Sequence, residues 1–571
     1  MKVNFRFILF LSFIISFFFL IILRLADIQV FQGEFYKGLA EDNRFYSLPI
    51  KSQRGVVFDR YGEPLVSNIV QYGLINDPKS LYSDLRIIDR EEALFQLATN
   101  SALVVKDNSR YYSYPSLSHL LGYVGEVTAE EMRDRSDLKP HDKLGKLGIE
   151  KFFDQDLRGV DGKEVFEISA NSKKQRSINI SESTPGKDIK TTIDPELNKF
   201  SYEALGEQKG IVIISNPVNG EILSLVTKPS FDANLFSKIL TDEKKDRDRK
   251  ELVAELFEDE DQPFFNRAIA GAYPPGSVFK LVTALAGLEE GEIDQNTTVL
   301  DEGSIKVGEA EFRSWFYWNY GKTEGLVDLK KAISRSNDIY FYKVAEWIGV
   351  DNLAKMAKIF GFGEYTQLEI GPEAKGLVPT PEWKEQVIGE KWYLGNTYHM
   401  GIGQGDVLAS PLQVNGLIAS IANEGVWCQP RLVEDTQVNC RGLGIKSENL
   451  NLVLSGMIDA CSSGGTAFPF FERNSAIVSE NQSNGSTDLI NKGAVACKTG
   501  TAEFGAANEK GFRPTHGWLV AYLKPKFNKE NFPSKIVITV LVESDEVDSS
   551  KEGSYDAAPV AKEIIDYIES R

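Results

Sequence analysis

The chain of 571 residues is 42% hydrophobic and 26% charged, an ordinary globular mixture that is too long for one hydrophobic core, so two or more domains are expected. Its 64 basic and 82 acidic residues leave a net charge of −18, which argues against nucleic acid as the main partner because phosphate binding needs a basic surface. The four histidines are scattered and the four cysteines (Cys428, Cys440, Cys461, Cys497) show no metal-ligand spacing, so neither a metal nor a cofactor is implied.

Residues 1–6 read as a short cytoplasmic tail and residues 7–24 as a transmembrane anchor. From Phe7 to Leu23 no residue is charged, and Arg6 and Arg24 can extend this short span by snorkelling. Lys2, Arg6 and the amino terminus place the N-terminus in the cytoplasm. A cleaved signal peptide is the alternative, but the chain continues Arg24-Leu25-Ala26-Asp27 without a small-x-small cleavage site. Either reading exports the rest of the chain.

Residues 25–185 are rich in short β-like runs and turn signals and hold no polar group that suggests catalysis, so they read as an elongated pedestal. Residues 186–571 form the second unit. There, Ile211-Val212-Ile213-Ile214 and Glu221-Ile222-Leu223-Ser224-Leu225-Val226 flank Asn219-Gly220, a strong hairpin signal. The charged tract 242–261 fits a solvated helix or loop. Asn474 to Thr487 is expected to be a mobile loop. Three late strands follow, at Gly493 to Thr501, Gly517 to Leu523 and Ile536 to Val542, then a helix from Pro559 onward with one apolar face. Two early strands, a helical middle, three late strands and a closing helix predict an α/β (α+β) fold with a mainly antiparallel sheet flanked by helices. Cys428 and Cys440 can close a disulfide in an oxidising compartment; separate buried thiols fit equally well.

Three clusters carry chemistry. In Tyr273-Pro274-Pro275-Gly276-Ser277-Val278-Phe279-Lys280, the Pro-Pro-Gly run ends a loop. Apolar residues then recur at helical spacing, so Ser277 starts a buried helix with Lys280 one turn on. A serine hydroxyl needs a base, and a buried lysine near another cation can supply a neutral amine. Alone, the pattern equally fits a capping serine with a surface lysine. The second cluster is Ser334-Arg335-Ser336-Asn337-Asp338. The hydroxyl of Ser336 and the carboxylate or amide of Asp338 or Asn337 can relay a proton and hold a substrate amide, although an ordinary helix N-cap explains the same residues. The third, Cys497-Lys498-Thr499-Gly500-Thr501, ends an apolar strand in a cation, hydroxyls and a glycine. Gly500 clears space for a substrate backbone, and Lys498 attracts a carboxylate and depresses the pKa of Lys280. An exposed edge strand guarded by a lysine is the plain alternative.

Ser-x-x-Lys, Ser-x-Asp and Lys-Thr-Gly in this order are the trio shared by penicillin-binding proteins and β-lactamases. The chain resembles a class B penicillin-binding protein of the elongation type, the penicillin-binding protein 2 family. The resemblance extends to Arg54-Gly55 through Leu65, Leu121-Gly122-Tyr123-Val124-Gly125, Leu157-Arg158-Gly159, Pro229-Ser230-Phe231-Asp232-Ala233-Asn234, Pro379-Thr380-Pro381-Glu382-Trp383-Lys384 and Gly401-Ile402-Gly403-Gln404-Gly405. It implies a penicillin-binding/β-lactamase-like transpeptidase domain that cross-links peptidoglycan through a serine acyl-enzyme. Ser277 would be the nucleophile and Lys280 its base. Ser336 and Asp338 would relay the proton, Lys498 would set the electrostatics, and Asn337, Thr499, Gly500 and Thr501 would hold substrate. The N–H groups of Ser277 and Thr501 would form the oxyanion hole.

The implied partners are stem peptides ending in D-Ala-D-Ala, β-lactam antibiotics, elongation-complex proteins and a SEDS-type membrane glycosyltransferase. The implied location is the bacterial inner membrane, with the catalytic domain extracytoplasmic. The segment between Asp77 and Arg110 is short for such a pedestal, so a reduced head is expected. Competing readings are a β-lactamase or D,D-carboxypeptidase, with water as acceptor, and a non-catalytic β-lactam sensor.

Overall fold

Five strands with apolar residues on both faces build the central sheet. The computed structural model describes residues 5–571 except 43–44, 76–84, 100–102, 141, 169–173, 238–242, 481–484, 510–512, 527–531 and 546–549. The sheet order is Ile222–Lys228, Gly210–Ser215, Ile536–Val542, Thr515–Leu523, Ala496–Glu503, with every neighbour antiparallel. The early hairpin and the three late strands therefore fall where the apolar runs predict them, with the edge strand starting at Ala496 instead of Gly493. Because neighbouring side chains leave a strand on opposite faces, Ile211 and Ile213 enter the core that holds the helices Lys280–Glu290, Asp338–Ile359 and Pro411–Ala422. Val212 and Ile214 enter a second core under Ala558–Ser570 and Pro195–Ala204. A sheet covered on both faces needs continuous apolar strands, which is why Ile536–Val542 is buried at every position.

The N-terminal helix Phe5–Ala26 continues through a π-turn to Phe31, and this 27-residue stretch is long and apolar enough to cross a membrane. It extends past the expected anchor because the apolar character resumes after Arg24 and Asp27, which pair with each other. The β-rich part that follows centres on Pro64–Ile75, paired with Val57–Phe58, Leu85–Ile88 and Leu103–Tyr112. A three-stranded sheet of Phe45–Ile50, Gly162–Ile168 and Lys174–Ser181 lies beside it. Buried Arg54 and Arg110 both pair with fully buried Glu150, and Arg54 also reaches Asp154. The expected reduced head falls partly on residues 76–84 and 100–102, outside the described residues.

The two units are joined by matched hydrogen bonds. Asn234 accepts from Tyr112 N and donates to Tyr112 O, both at 2.9 Å, and Tyr61 donates to Asp194. The charged tract contains the helix Glu243–Glu258. The loop expected from Asn474 begins instead as the helix Phe471–Glu480, with residues 481–484 outside the described set. Asn474 is fully buried: its amide donates to Ile458 O and Val495 O and accepts from Val495 N, so a polar residue that suggested a loop braces the approach to the last strand of the sheet. Cys428 and Cys440 are bonded to each other. So are Cys461 and Cys497, a pair 36 residues apart that no local spacing suggests; it ties the end of the helix Ser447–Ala460 to Ala496–Glu503.

Candidate active site

Ser277 lies in the short 3₁₀ turn Gly276–Phe279, which runs directly into the buried helix Lys280–Glu290. Gly276 makes this possible. Its φ is +53°, and a Cβ there would stand 2.9 Å from the carbonyl oxygen of Thr501, so only glycine lets the turn approach the strand Ala496–Glu503. Gly276 N donates to Gly403 O at 2.9 Å, and the indole of Trp518 donates to Pro274 O, fixing the turn from two sides. Ser277 itself is half-buried.

The Ser-x-Asp cluster is a helix stop followed at once by a helix start. The helix Leu329–Ser334 ends in a Schellman motif, with Asn337 N donating to Ala332 O and Ser336 N to Ile333 O. The residue that turns left-handed is Ser336, with φ +54°, where glycine is the usual choice. That conformation is costly for a residue with a side chain, so the hydroxyl has a use that offsets the strain. Its Oγ accepts from Lys498 Nζ at 2.8 Å and from Lys280 Nζ at 3.3 Å.

Both amines are fully buried. Lys280 also donates to Ser336 O at 2.8 Å and pairs with Asp338 Oδ1 at 2.6 Å; Lys498 also donates to Thr499 O at 2.8 Å. Burial pushes Lys280 below its ordinary 10.5, with the Asp338 carboxylate opposing. Lys498 is pushed well below 10.5, first by burial and then by the charge on Lys280. Lys280 has a carboxylate within contact and Lys498 has none, so Lys280 is the better holder of the shared positive charge. Repulsion between the two amines acts on both, so Lys498 also disfavours a proton on Lys280 as expected, and Asp338 tips the balance toward Lys280.

Asp338 is a hub, since its Oδ2 accepts from Trp315 N at 2.7 Å while Oδ1 holds Lys280. Asn337 takes a different part from the expected one. Its Oδ1 caps the helix Asp338–Ile359 by accepting from Tyr340 N, and its Nδ2 donates to buried Asp301 at 2.7 Å. Both ends of this buried amide are engaged by the protein, so its assignment to substrate is corrected to helix capping.

On the Lys-Thr-Gly strand, Thr499 Oγ1 lies 2.7 Å from Thr466 Oγ1, and Thr501 is exposed. Gly500 has a second role. A Cβ there would meet Trp518 Cβ at 3.0 Å and Val278 Cγ2 at 3.2 Å, so its bareness also serves packing against the nucleophile turn, while the strand remains at the edge of its sheet. Gly553 presses on the same strand, where a Cβ would come within 2.6 Å of Gly500 O.

The structure thus brings Ser277, Lys280, Ser336, Asp338, Lys498, Thr499 and Thr501 into one neighbourhood. Sequence reasoning missed Asp301, which braces Asn337, and Thr466, which meets Thr499. Neither sits in a recognisable local pattern, and both are supplied across tertiary contacts. Among the described residues, no cluster of His, Cys, Asp and Glu could hold a metal ion.

Comparison with known proteins places the chain by family and fold. Residues 210–566 match the Penicillin binding protein transpeptidase domain, and residues 96–191 match the Penicillin-binding Protein dimerisation domain. The chain is similar to the peptidoglycan D,D-transpeptidase MrdA of Haemophilus influenzae, with 30% identity over 95% of this chain and 88% of that protein. Among solved structures it resembles Pseudomonas aeruginosa PBP2 in complex with WCK 5153, with 28% identity, a TM-score of 0.67, and 91% of this chain and 96% of that one covered. It also resembles a chain from a peptidoglycan synthase complex that coordinates polymerization and crosslinking, with 26% identity, a TM-score of 0.73, and 99% and 98% covered.

Proposed function

The chain belongs to the penicillin-binding protein transpeptidase family, in its class B, PBP2-type branch, and from that premise we propose that Ser277 is the residue acylated during cross-linking. The protein is a serine-type peptidoglycan D,D-transpeptidase with one N-terminal membrane-spanning helix. The observation that carries the site assignment is the Ser336 hydroxyl held between two buried lysines, one of them a turn beyond Ser277.

The geometry supports a particular order of proton movement. Before substrate arrives, the shared charge sits on Lys280, paired with Asp338. A donor stem brings its terminal carboxylate to Thr499 and Thr501, and this negative charge favours a proton on Lys498. Ser336 gives its proton to Lys498 Nζ and takes one from Lys280 Nζ, which leaves Lys280 neutral. Lys280 then accepts the Ser277 proton as Oγ attacks the penultimate D-Ala carbonyl. Ser277 N–H and Thr501 N–H stabilise the oxyanion, and the relay protonates the departing terminal D-Ala amine. An acceptor amine from a neighbouring stem resolves the ester, whereas a β-lactam leaves a stable adduct.

The domain matches support 25–185 as the pedestal and 186–571 as the transpeptidase unit, and the long apolar helix supports residues 7–24 as the anchor. Lys2 and Arg6 before the span support a cytoplasmic N-terminus in the bacterial inner membrane. The likeness to a synthase-complex chain supports a membrane glycosyltransferase of the SEDS type and other elongation-complex proteins as partners. Labelling of the detergent-solubilised chain with a fluorescent penicillin, beside Ser277→Ala, tests the assignment. A long-lived adduct lost in the variant is expected. Rapid decay would indicate a hydrolase, and an unlabelled wild-type chain would remove Ser277 as the β-lactam nucleophile.

A further inference from the structure

The helix Trp315–Tyr320 reads Trp-Phe-Tyr-Trp-Asn-Tyr and contains no aliphatic side chain. It is fixed to the active site at its first residue: Trp315 N donates to Asp338 Oδ2 and the Trp315 indole donates to Arg335 O at 3.0 Å. Ser314 caps its start, and Tyr317 lies against Gly303, where a Cβ would come within 2.5 Å of the ring. Trp315, Phe316 and Tyr320 form one cluster with centroids 5.4–6.2 Å apart. The Arg335 guanidinium stands 5.2 Å from the Phe316 ring and the Arg313 guanidinium 5.0 Å from Trp318.

Although so firmly held, the helix leaves Trp318 57% and Tyr320 58% exposed. Rigid aromatic side chains kept in water beside a reaction centre mark a binding surface. Their surroundings indicate the ligand. Aromatic rings beside guanidinium groups serve protein interfaces and sugar sites alike, so the occupant is set by what the adjoining cleft holds. Here the exposed rings are flanked by guanidinium, phenol and amide groups, which suits a ligand with an apolar C–H face and a polar rim. A pyranose ring has that form, and its polarised C–H bonds are attracted to the negative face of an aromatic ring. Resting on the transpeptidase reading, continuity adds to this: a stem peptide in the cleft is attached to a glycan strand, and the helix is one hydrogen bond from Asp338.

We propose that the helix Trp315–Tyr320 is a glycan-binding platform, on which Trp318 and Tyr320 stack against N-acetylated sugar rings of the strand that carries a bound stem. It selects polymer-linked stems over free peptides.

The test is calorimetric titration of the full chain in detergent with peptide-free, N-acetylated glycan oligosaccharides, and in parallel with free stem peptide. Saturable glycan binding is expected, weakened at least tenfold by the double variant Trp318→Ala/Tyr320→Ala. Binding within about threefold of wild type should return in Trp318→Phe/Tyr320→Phe, because flat rings rather than their polar tips make the stacking surface. The proposal is overturned by equal glycan affinity in wild type and the double alanine variant, by no saturable wild-type binding, or by a tenfold loss confined to free peptide. Ser277→Ala should bind glycan like wild type while losing the penicillin adduct. Glycan binding in a wild-type chain that penicillin cannot acylate would sink the Ser277 reading alone.

Discussion

Replacing Asp338 with asparagine removes the charge that holds the Lys280 proton while keeping an acceptor for Trp315 N. At the observed 2.6 Å, two unit charges in an effective dielectric of about 20 attract by about 6 kcal/mol. Relaxation reduces the loss, since breaking a buried pair at one partner costs about 3–5 kcal/mol. Taking about 3 kcal/mol, the Lys280 proton is held about two pH units less tightly. The sign follows from the opposing influences on this amine: burial lowers it, Asp338 raises it, and Asp338→Asn leaves only the lowering one. Acylation that needs neutral Lys280 rises with pH through the value for that group. The assay is the second-order rate of fluorescent-penicillin labelling between about pH 5 and 10, with the ascending midpoint expected about two units lower in Asp338→Asn. An unchanged or higher midpoint would refute the claim that Asp338 controls the base.

Ser336→Gly relieves the left-handed strain at φ +54°, so unfolding free energy should stay within about 1 kcal/mol of wild type while acylation falls at least about a hundredfold. A urea titration paired with labelling kinetics checks this, and a normal acylation rate would remove the hydroxyl from the relay. Lys498 supplies a stability test with a definite sign. Its folded value is depressed well below 10.5, so between that value and 10.5 the unfolded chain binds more protons and stability rises with pH. Lys498→Met should flatten that rise in denaturation midpoints measured across the same window, and equal slopes in the two chains would show that Lys498 is not depressed by folding.

The sequence alone determined the sheet, because covering both faces forces nearly continuous apolar runs such as Ile536–Val542, interrupted at Thr539, and Asn219-Gly220 dictates a hairpin. It also determined the anchor and the three reactive clusters, whose residue types the chemistry restricts and whose spacing a helix start, a turn and a strand end each impose. Tertiary structure decided how those clusters meet. Asn337 became a cap because its amide found Tyr340 N and Asp301, and Gly500 became a packing contact as well because Trp518 and Val278 fill the space beside it. Asn474 looked like a loop residue until buried backbone groups satisfied its amide. The ownership of the charge shared by Lys280 and Lys498 was decided in the same way. Local sequence gives two lysines of equal standing, and only the fold, by burying both and setting Asp338 against one, makes them unequal.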